Sequence, residues 1–162
     1  MQSDDQEMRD EERIVLCDDE SEMRALGTEL ASSIGPGFLI GLSGELGAGK
    51  SVLARSIIHA LGYDGPVKSP TYSLIETYNL EQPANQGIAS IAHMDLYRLG
   101  DAEELYHLGL GDVLSDHDLV MIEWPEKGAP LLPLPELRIQ IDYDTAARRK
   151  VRLCFLNQSV TL

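Results

Sequence analysis

Residues 44–51 read Gly-Glu-Leu-Gly-Ala-Gly-Lys-Ser, the spacing G-x-x-x-x-G-K-S/T. Each fixed position answers to the chemistry of a phosphate chain. Glycines let the backbone turn and approach an anion with no Cβ in the way. Successive N–H groups of such a turn point inward as an anion nest, and the helix that follows adds the positive end of its dipole. Lys50 supplies a point charge for β- and γ-phosphates, and the Ser51 hydroxyl suits Mg²⁺. Glu45, Leu46, Gly47, Ala48, Gly49, Lys50 and Ser51 are therefore expected to bind a nucleoside triphosphate. With Gly near 7% of residues, the four fixed positions coincide by chance about 4 × 10⁻⁵ times per start, below roughly 1% over a chain of this length.

Phosphoryl chemistry also needs a carboxylate for the metal and a group that orients the attacking oxygen. Two acids close apolar runs: Asp95 after Ile91-Ala92-His93-Met94, and Glu123 after Leu119-Val120-Met121-Ile122. Such strand ends face the ligand crevice of an open α/β sheet. One acid is expected to take metal, directly or through water, and the other to orient water; the residues alone do not say which. Thr71, in Ser-Pro-Thr-Tyr, is either a turn residue or a hydroxyl that senses the γ-phosphate. Trp124 stacks on a base, sits at an interface or packs in the core. His59, His93, His107 and His117 are scattered and read as structural or surface groups, His93 alone lying near a candidate site.

The elements that must hold these groups follow from periodicity. Residues 14–17 predict an edge strand. Met23, Leu26, Leu30 and Ile34 mark a helix capped by Asp19 or Ser21. The apolar run 38–42 predicts a strand buried on both faces, and residues 49–61 a helix. Strands are expected over 73–78 and 88–94, joined through Pro83, Asn85 and Gly87. Asp101 and Glu104 have capping-box spacing for a short helix, with another near 110–114. Residues 119–122 predict a further buried strand. Alternation over 137–143 and 151–155 predicts antiparallel strands with one wet face. The fold class is α/β: a single P-loop NTPase-like domain, its central sheet mostly parallel with added antiparallel strands.

The bulk numbers narrow the partners. The net charge is −14, and residues 1–22 carry ten acids against two arginines. Proteins that bind nucleic acid unaided are usually basic, so no autonomous tRNA or DNA binding is expected. No apolar run reaches the roughly 20 residues of a membrane span, and the N-terminus has no apolar core of a secretory signal. The expected location is cytoplasmic. Cys17 and Cys154 have no neighbour at metal-ligand spacing and read as reduced residues in strands. Residues 1–12 are expected to form a flexible acidic tail, 13–158 the domain, and 159–162 the C-terminal end.

Four blocks in order resemble one family: residues 44–51, Ser69-Pro70-Thr71-Tyr72, His93-Met94-Asp95-Leu96-Tyr97-Arg98, and Ile122-Glu123-Trp124-Pro125-Glu126-Lys127-Gly128. Together they resemble the bacterial TsaE (YjeE) family over about residues 14–155. The resemblance implies an ATPase of tRNA threonylcarbamoyladenosine synthesis, using ATP/ADP and Mg²⁺. Its partners would be TsaB and TsaD, which modify adenosine 37 of ANN-decoding tRNAs, so that tRNA is met through the complex. It implies that Ser51 and Glu123 ligate Mg²⁺ and that Asp95 acts in hydrolysis as the Walker-B-like acid. It places Thr71 in a switch segment and Trp124 close to the active site. It gives Arg148, and less securely a residue around 19–20, a nucleotide contact. The chain departs from the family in Ser51, where Thr is common, in a longer loop over 80–87, and in the acidic tail. Two other readings share the motif: a small P-loop kinase, for which no lid insertion is evident, and a nucleotide-dependent binding module without turnover.

Overall fold

A computed structural model of the chain describes residues 11–84 and 86–156. The tail up to residue 10, Asn85 in the expected hairpin loop, and the C-terminal end at 159–162 lie outside the described residues. Glu11 and Glu12, at the end of the expected tail, belong to the first strand, β1 (Glu11–Cys17), where they pair with Phe155 and Cys154.

Helix α1 (Glu20–Ala31) starts at Asp19, whose carboxylate accepts the Glu22 N–H at 2.9 Å. Strand β2 (Phe38–Gly44) runs into the glycine-rich loop and helix α2 (Lys50–Ala60). Strands β3 (Ile75–Asn79) and β4 (Ser90–Asp95) form the expected hairpin. Two short helices follow, α3 (Glu104–His107) and α4 (Leu110–Asp116). Asp101 accepts the Glu103 N–H and Glu104 accepts the Asp101 N–H, the reciprocal bonds of a capping box. Strand β5 (Leu119–Glu123), a 3-10 turn at Pro125–Lys127, β6 (Leu137–Tyr143) and β7 (Arg149–Phe155) complete the chain.

One seven-stranded sheet has the order β1-β7-β6-β2-β5-β4-β3. Strands β6, β2, β5 and β4 are mutually parallel, and β1, β7 and β3 add antiparallel edges. The alternation in 137–143 predicts an antiparallel strand. β6 is antiparallel to β7, but it is also parallel to β2 and belongs to the central sheet. Alternation reports which face is wet and not the direction of a neighbour.

The core has two layers. Met23, Leu26 and Leu30 of α1 and Leu53, Ile57 and Ile58 of α2 cover Ile40, Leu42, Ile139 and Ile141 on one sheet face. Leu105 and Leu110 help to cover Leu39, Met94, Val120 and Ile122 on the other. Cys17 and Cys154 are free thiols in β1 and β7. No helix among the described residues is long and apolar enough to cross a membrane. Because β2, β5 and β4 are parallel neighbours, their C-terminal ends share one edge. That edge carries the loop, Glu123 and Asp95.

Candidate nucleotide site

The loop between β2 and α2 depends on its glycines. Gly44, Gly47 and Gly49 have φ of 152°, 79° and 114°. A Cβ on Gly44 would stand 2.5 Å from the Ile141 carbonyl oxygen, so only glycine fits there. The Ala48 N–H closes a turn on the Glu45 carbonyl at 3.0 Å. Helix α2 then begins at Lys50, and the first-turn N–H groups of a helix have no acceptors within it. The result is a concave set of donors at a helix N-terminus, which suits an anion.

Lys50 is 5% exposed. Its ammonium donates to the Gly44 and Glu45 carbonyls of its own loop and lies 4.4 Å from the centre of the Trp124 ring. Burial lowers the Lys50 pKa, while the charges of Glu123, Asp95 and Glu126 act to raise it. A phosphate oxygen in the loop would compete with these two carbonyls for the ammonium.

Ser51 and Glu123 meet directly. The Ser51 hydroxyl donates to Glu123 Oε1 at 2.9 Å. Asp95 sits opposite Glu123 in the β4–β5 register. Its Oδ1 accepts the Tyr97 N–H at 2.9 Å, and its Oδ2 accepts the Thr71 hydroxyl at 3.4 Å. Burial raises the Asp95 pKa; the Tyr97 N–H opposes this, the Glu123 charge adds to it, and His93 and Thr71 oppose it. Thr71 also shares a 2.7 Å bond with Ser69, so the three polar groups form a chain ending on the acid. The Leu74 carbonyl accepts the Asp95 N–H at 3.0 Å, and Leu74 itself has φ 67°. A non-glycine residue held at positive φ stores strain, as does Trp124 at φ 57° next to Glu123.

Lys50, Ser51, Thr71, Asp95 and Glu123 thus border one cavity of about 380 Å³, with Trp124, Tyr97 and Arg98 on its wall. Across the loop, Asp19, Glu20, Met23 and Arg149 line a smaller hollow of about 150 Å³. Arg148 does not line either. Its guanidinium bonds Asp18 at 2.6 Å and lies 3.8 Å from Asp144. Its neighbour Arg149 lines the hollow and stacks on Tyr143, 3.9 Å from the ring centre. Leu46 is 67% exposed and contributes its carbonyl, which accepts the Tyr143 hydroxyl. A larger groove of about 770 Å³ lies near the C-terminal ends of α1 and α2. It contains none of these groups, and volume without convergent chemistry does not make it the site.

Among the described residues, no cluster of three or more His, Cys, Asp or Glu side chains could hold a metal ion by itself. Mg²⁺ is commonly held by one or two carboxylates together with substrate phosphates and water. Ser51 and Glu123 beside the glycine loop fit that pattern.

Residues 17–151 match the family described as threonylcarbamoyl adenosine biosynthesis protein TsaE. The chain belongs to the TsaE family. Proteins named tRNA threonylcarbamoyladenosine biosynthesis protein TsaE are among its relatives. That of Haemophilus influenzae is 43% identical over 110 residues, 68% of this chain and 66% of its own, just under two thirds of that protein. That of Mycobacterium leprae is 38% identical over 133 residues, 79% of this chain and 81% of its own. That of Rickettsia felis is 35% identical over 130 residues, covering 80% and 72%. The crystal structure of Bacillus subtilis YdiB shares the fold, with a TM-score of 0.72 over 92% of this chain and 88% of that one, at 22% identity. The TsaE family takes part in threonylcarbamoyladenosine biosynthesis, and the matched span contains every site residue named above.

Sequence reasoning left three contributors of this TsaE-family site unassigned. His93 bonds Glu123, Tyr97 anchors Asp95 through its N–H, and Arg149 rather than Arg148 faces the hollow. The signal for His93 was period 2: Ile91, His93 and Asp95 lie on one face of β4.

Proposed function

We propose that the chain binds Mg-ATP and hydrolyses it to support the TsaB–TsaD complex in forming threonylcarbamoyladenosine at position 37 of ANN-decoding tRNAs. The observation that carries this reading is the contact of Ser51 with Glu123 beneath the glycine loop, with Asp95 in register alongside.

In this reading the triphosphate lies in the cradle of residues 45–51. Lys50 exchanges its two loop carbonyls for β- and γ-phosphate oxygens. Ser51 and Glu123 would hold Mg²⁺, which neutralises charge on the phosphates. Asp95 orients a water and takes its proton as oxygen attacks the γ-phosphorus and the bond to the β-phosphate oxygen breaks. A carboxyl whose pKa is raised by burial is the better proton acceptor for that task. Thr71 bonds Asp95 and links residues 69–74 to the state of the site. The hollow beside Arg149 would take the base end of the nucleotide, and Arg148, paired with Asp18, would reach that end only by leaving this pair.

The charge of −14 fits a protein that meets other proteins rather than RNA itself. The test is steady-state ATP hydrolysis by this chain, alone and with TsaB–TsaD and tRNA. Slow turnover that rises in the full mixture supports the proposal. Turnover that ignores those partners removes the link to the complex and returns the chain to general P-loop chemistry.

A further inference from the structure

Beside Lys50, Asp95 and Glu123, His93 is a fourth buried polar group of the site, 1% exposed in β4. In the β4–β5 register it pairs with Met121, so Glu123 is its diagonal neighbour on the same face. His93 Nε2 lies 3.1 Å from Glu123 Oε2. The other carboxylate oxygen, Oε1, takes the Ser51 hydroxyl. Glu123 is therefore held from two sides, one hold on each oxygen.

The contact requires a proton on Nε2. A carboxylate only accepts, so Nε2 carries the proton of this bond. Nδ1 has no hydrogen-bond partner among the described residues. A buried polar atom without a partner costs stability and calls for an explanation. As a mere filler of the β4 face, His93 would be inferior to Met or Leu, which leave nothing unsatisfied. What only a polar side chain supplies here is the bond to Glu123.

Resting on the Mg-ATP reading above, we infer that His93 is a positioning residue: its Nε2–H pins Glu123 Oε2 and so presents Oε1, beside Ser51, to Mg²⁺. Mg²⁺ demands near-ideal octahedral geometry and gains most from a ligand that cannot rotate. Groups that hold a ligand in this way typically change metal affinity 10- to 100-fold when removed. An imidazole N–H suits the task because its bond fixes the carboxylate with no mobile ammonium beside the metal position.

Trp124 is the only tryptophan of the chain and lies on the wall of the cavity. Its fluorescence reports ligand binding without any turnover. The experiment titrates Mg²⁺ at saturating ATP into the parent, His93→Gln and His93→Asn, and titrates ATP without metal in parallel. Both variants place an amide in the same space, so folding defects fall on both. Only the Gln amide is long enough to reach Glu123. The expected result is a half-saturating Mg²⁺ within about threefold of the parent for H93Q and raised about tenfold or more for H93N, with metal-free ATP binding alike in all three. Equal Mg²⁺ requirements for H93N and H93Q overturn the inference and leave the ATP reading intact. A parent chain that shows no Mg²⁺-dependent ATP binding overturns both.

Discussion

Asp95 and Glu123 stand directly opposite each other at the C-terminal ends of adjacent parallel strands, yet they are held differently. Glu123 is bonded by Ser51 and His93, whereas Asp95 is bonded by Tyr97 and Thr71. Ser51 ties Glu123 to the start of the helix after the glycine loop, and Thr71 ties Asp95 to residues 69–74. The proposed mechanism follows this division, with metal at Glu123 and water at Asp95.

Asp95→Asn separates activity from stability. The folded chain holds the Asp95 proton to higher pH than the unfolded chain, because burial raises its pKa. Between the ordinary carboxylate value and the raised value, the folded state binds more protons, so this group's contribution to stability falls as pH rises. Asn keeps an acceptor for Tyr97 and carries no charge. D95N is expected to melt higher than the parent at neutral pH while losing about 10²-fold or more of ATP turnover. In the parent, turnover falls as pH drops through the raised value, and that acid limb is absent from the residual rate of D95N. Calorimetric melts and a pH–rate profile check both statements; a D95N chain with normal turnover removes Asp95 from the chemistry.

Lys50→Ala and Ser51→Ala are expected to fail in different ways. Lys50 offers its charge to phosphate in ground and transition states alike, and a charge-assisted bond of about 1.5–3 kcal/mol corresponds to roughly a 10- to 140-fold loss of ATP affinity. Ser51 touches Glu123 and the expected metal position, so S51A should lower kcat far more than it weakens ATP binding. Binding calorimetry beside steady-state kinetics resolves the two patterns. Identical profiles for both variants contradict the division of roles.

The isolated chain should not bind tRNA specifically. With a net charge of −14 it has no electrostatic hold on a phosphate backbone at physiological salt. A filter-binding or mobility assay with tRNA alone is expected to show no saturable complex. A tight complex formed without other proteins would contradict the expectation that tRNA is met through TsaB–TsaD.

Much of the site was legible because its residues obey local rules. The glycines at 44, 47 and 49 mark a turn that other residues cannot make, and Asp95 and Glu123 end apolar runs that can only be buried strands. Which acid Ser51 reaches was not legible from the residues, since that contact spans 72 positions of chain. His93 hid inside an apolar run for the same reason: its partner is 30 positions away. Arg148 and Arg149 are adjacent, and which of them faces the hollow is set by the turn between β6 and β7. The direction of β6 against β2 was invisible because sequence alternation carries no strand direction.

Gly27→Ala tests the packing that seats the loop. Alanine favours a helix over glycine by about 1 kcal/mol, so propensity alone predicts a gain. Yet Gly27 lies where α1 crosses α2, and an added Cβ would stand 2.5 Å from Ser56 Cβ and 3.2 Å from the Leu53 carbonyl oxygen. Neither neighbour is the far end of a flexible chain, so the helices must separate. Overpacking of this kind costs about 1–3 kcal/mol and outweighs the propensity term. G27A is expected to lose stability in urea unfolding, and S56G on the G27A background to recover part of it by removing the clashing carbon. The separation would also shift α1, whose Met23 Cε lies 3.3 Å from where a Cβ on Gly49 would stand, so ATP affinity should fall with stability. A G27A chain more stable than its parent would mean that the two helices have room to spare, and that their contact does not set the position of the loop.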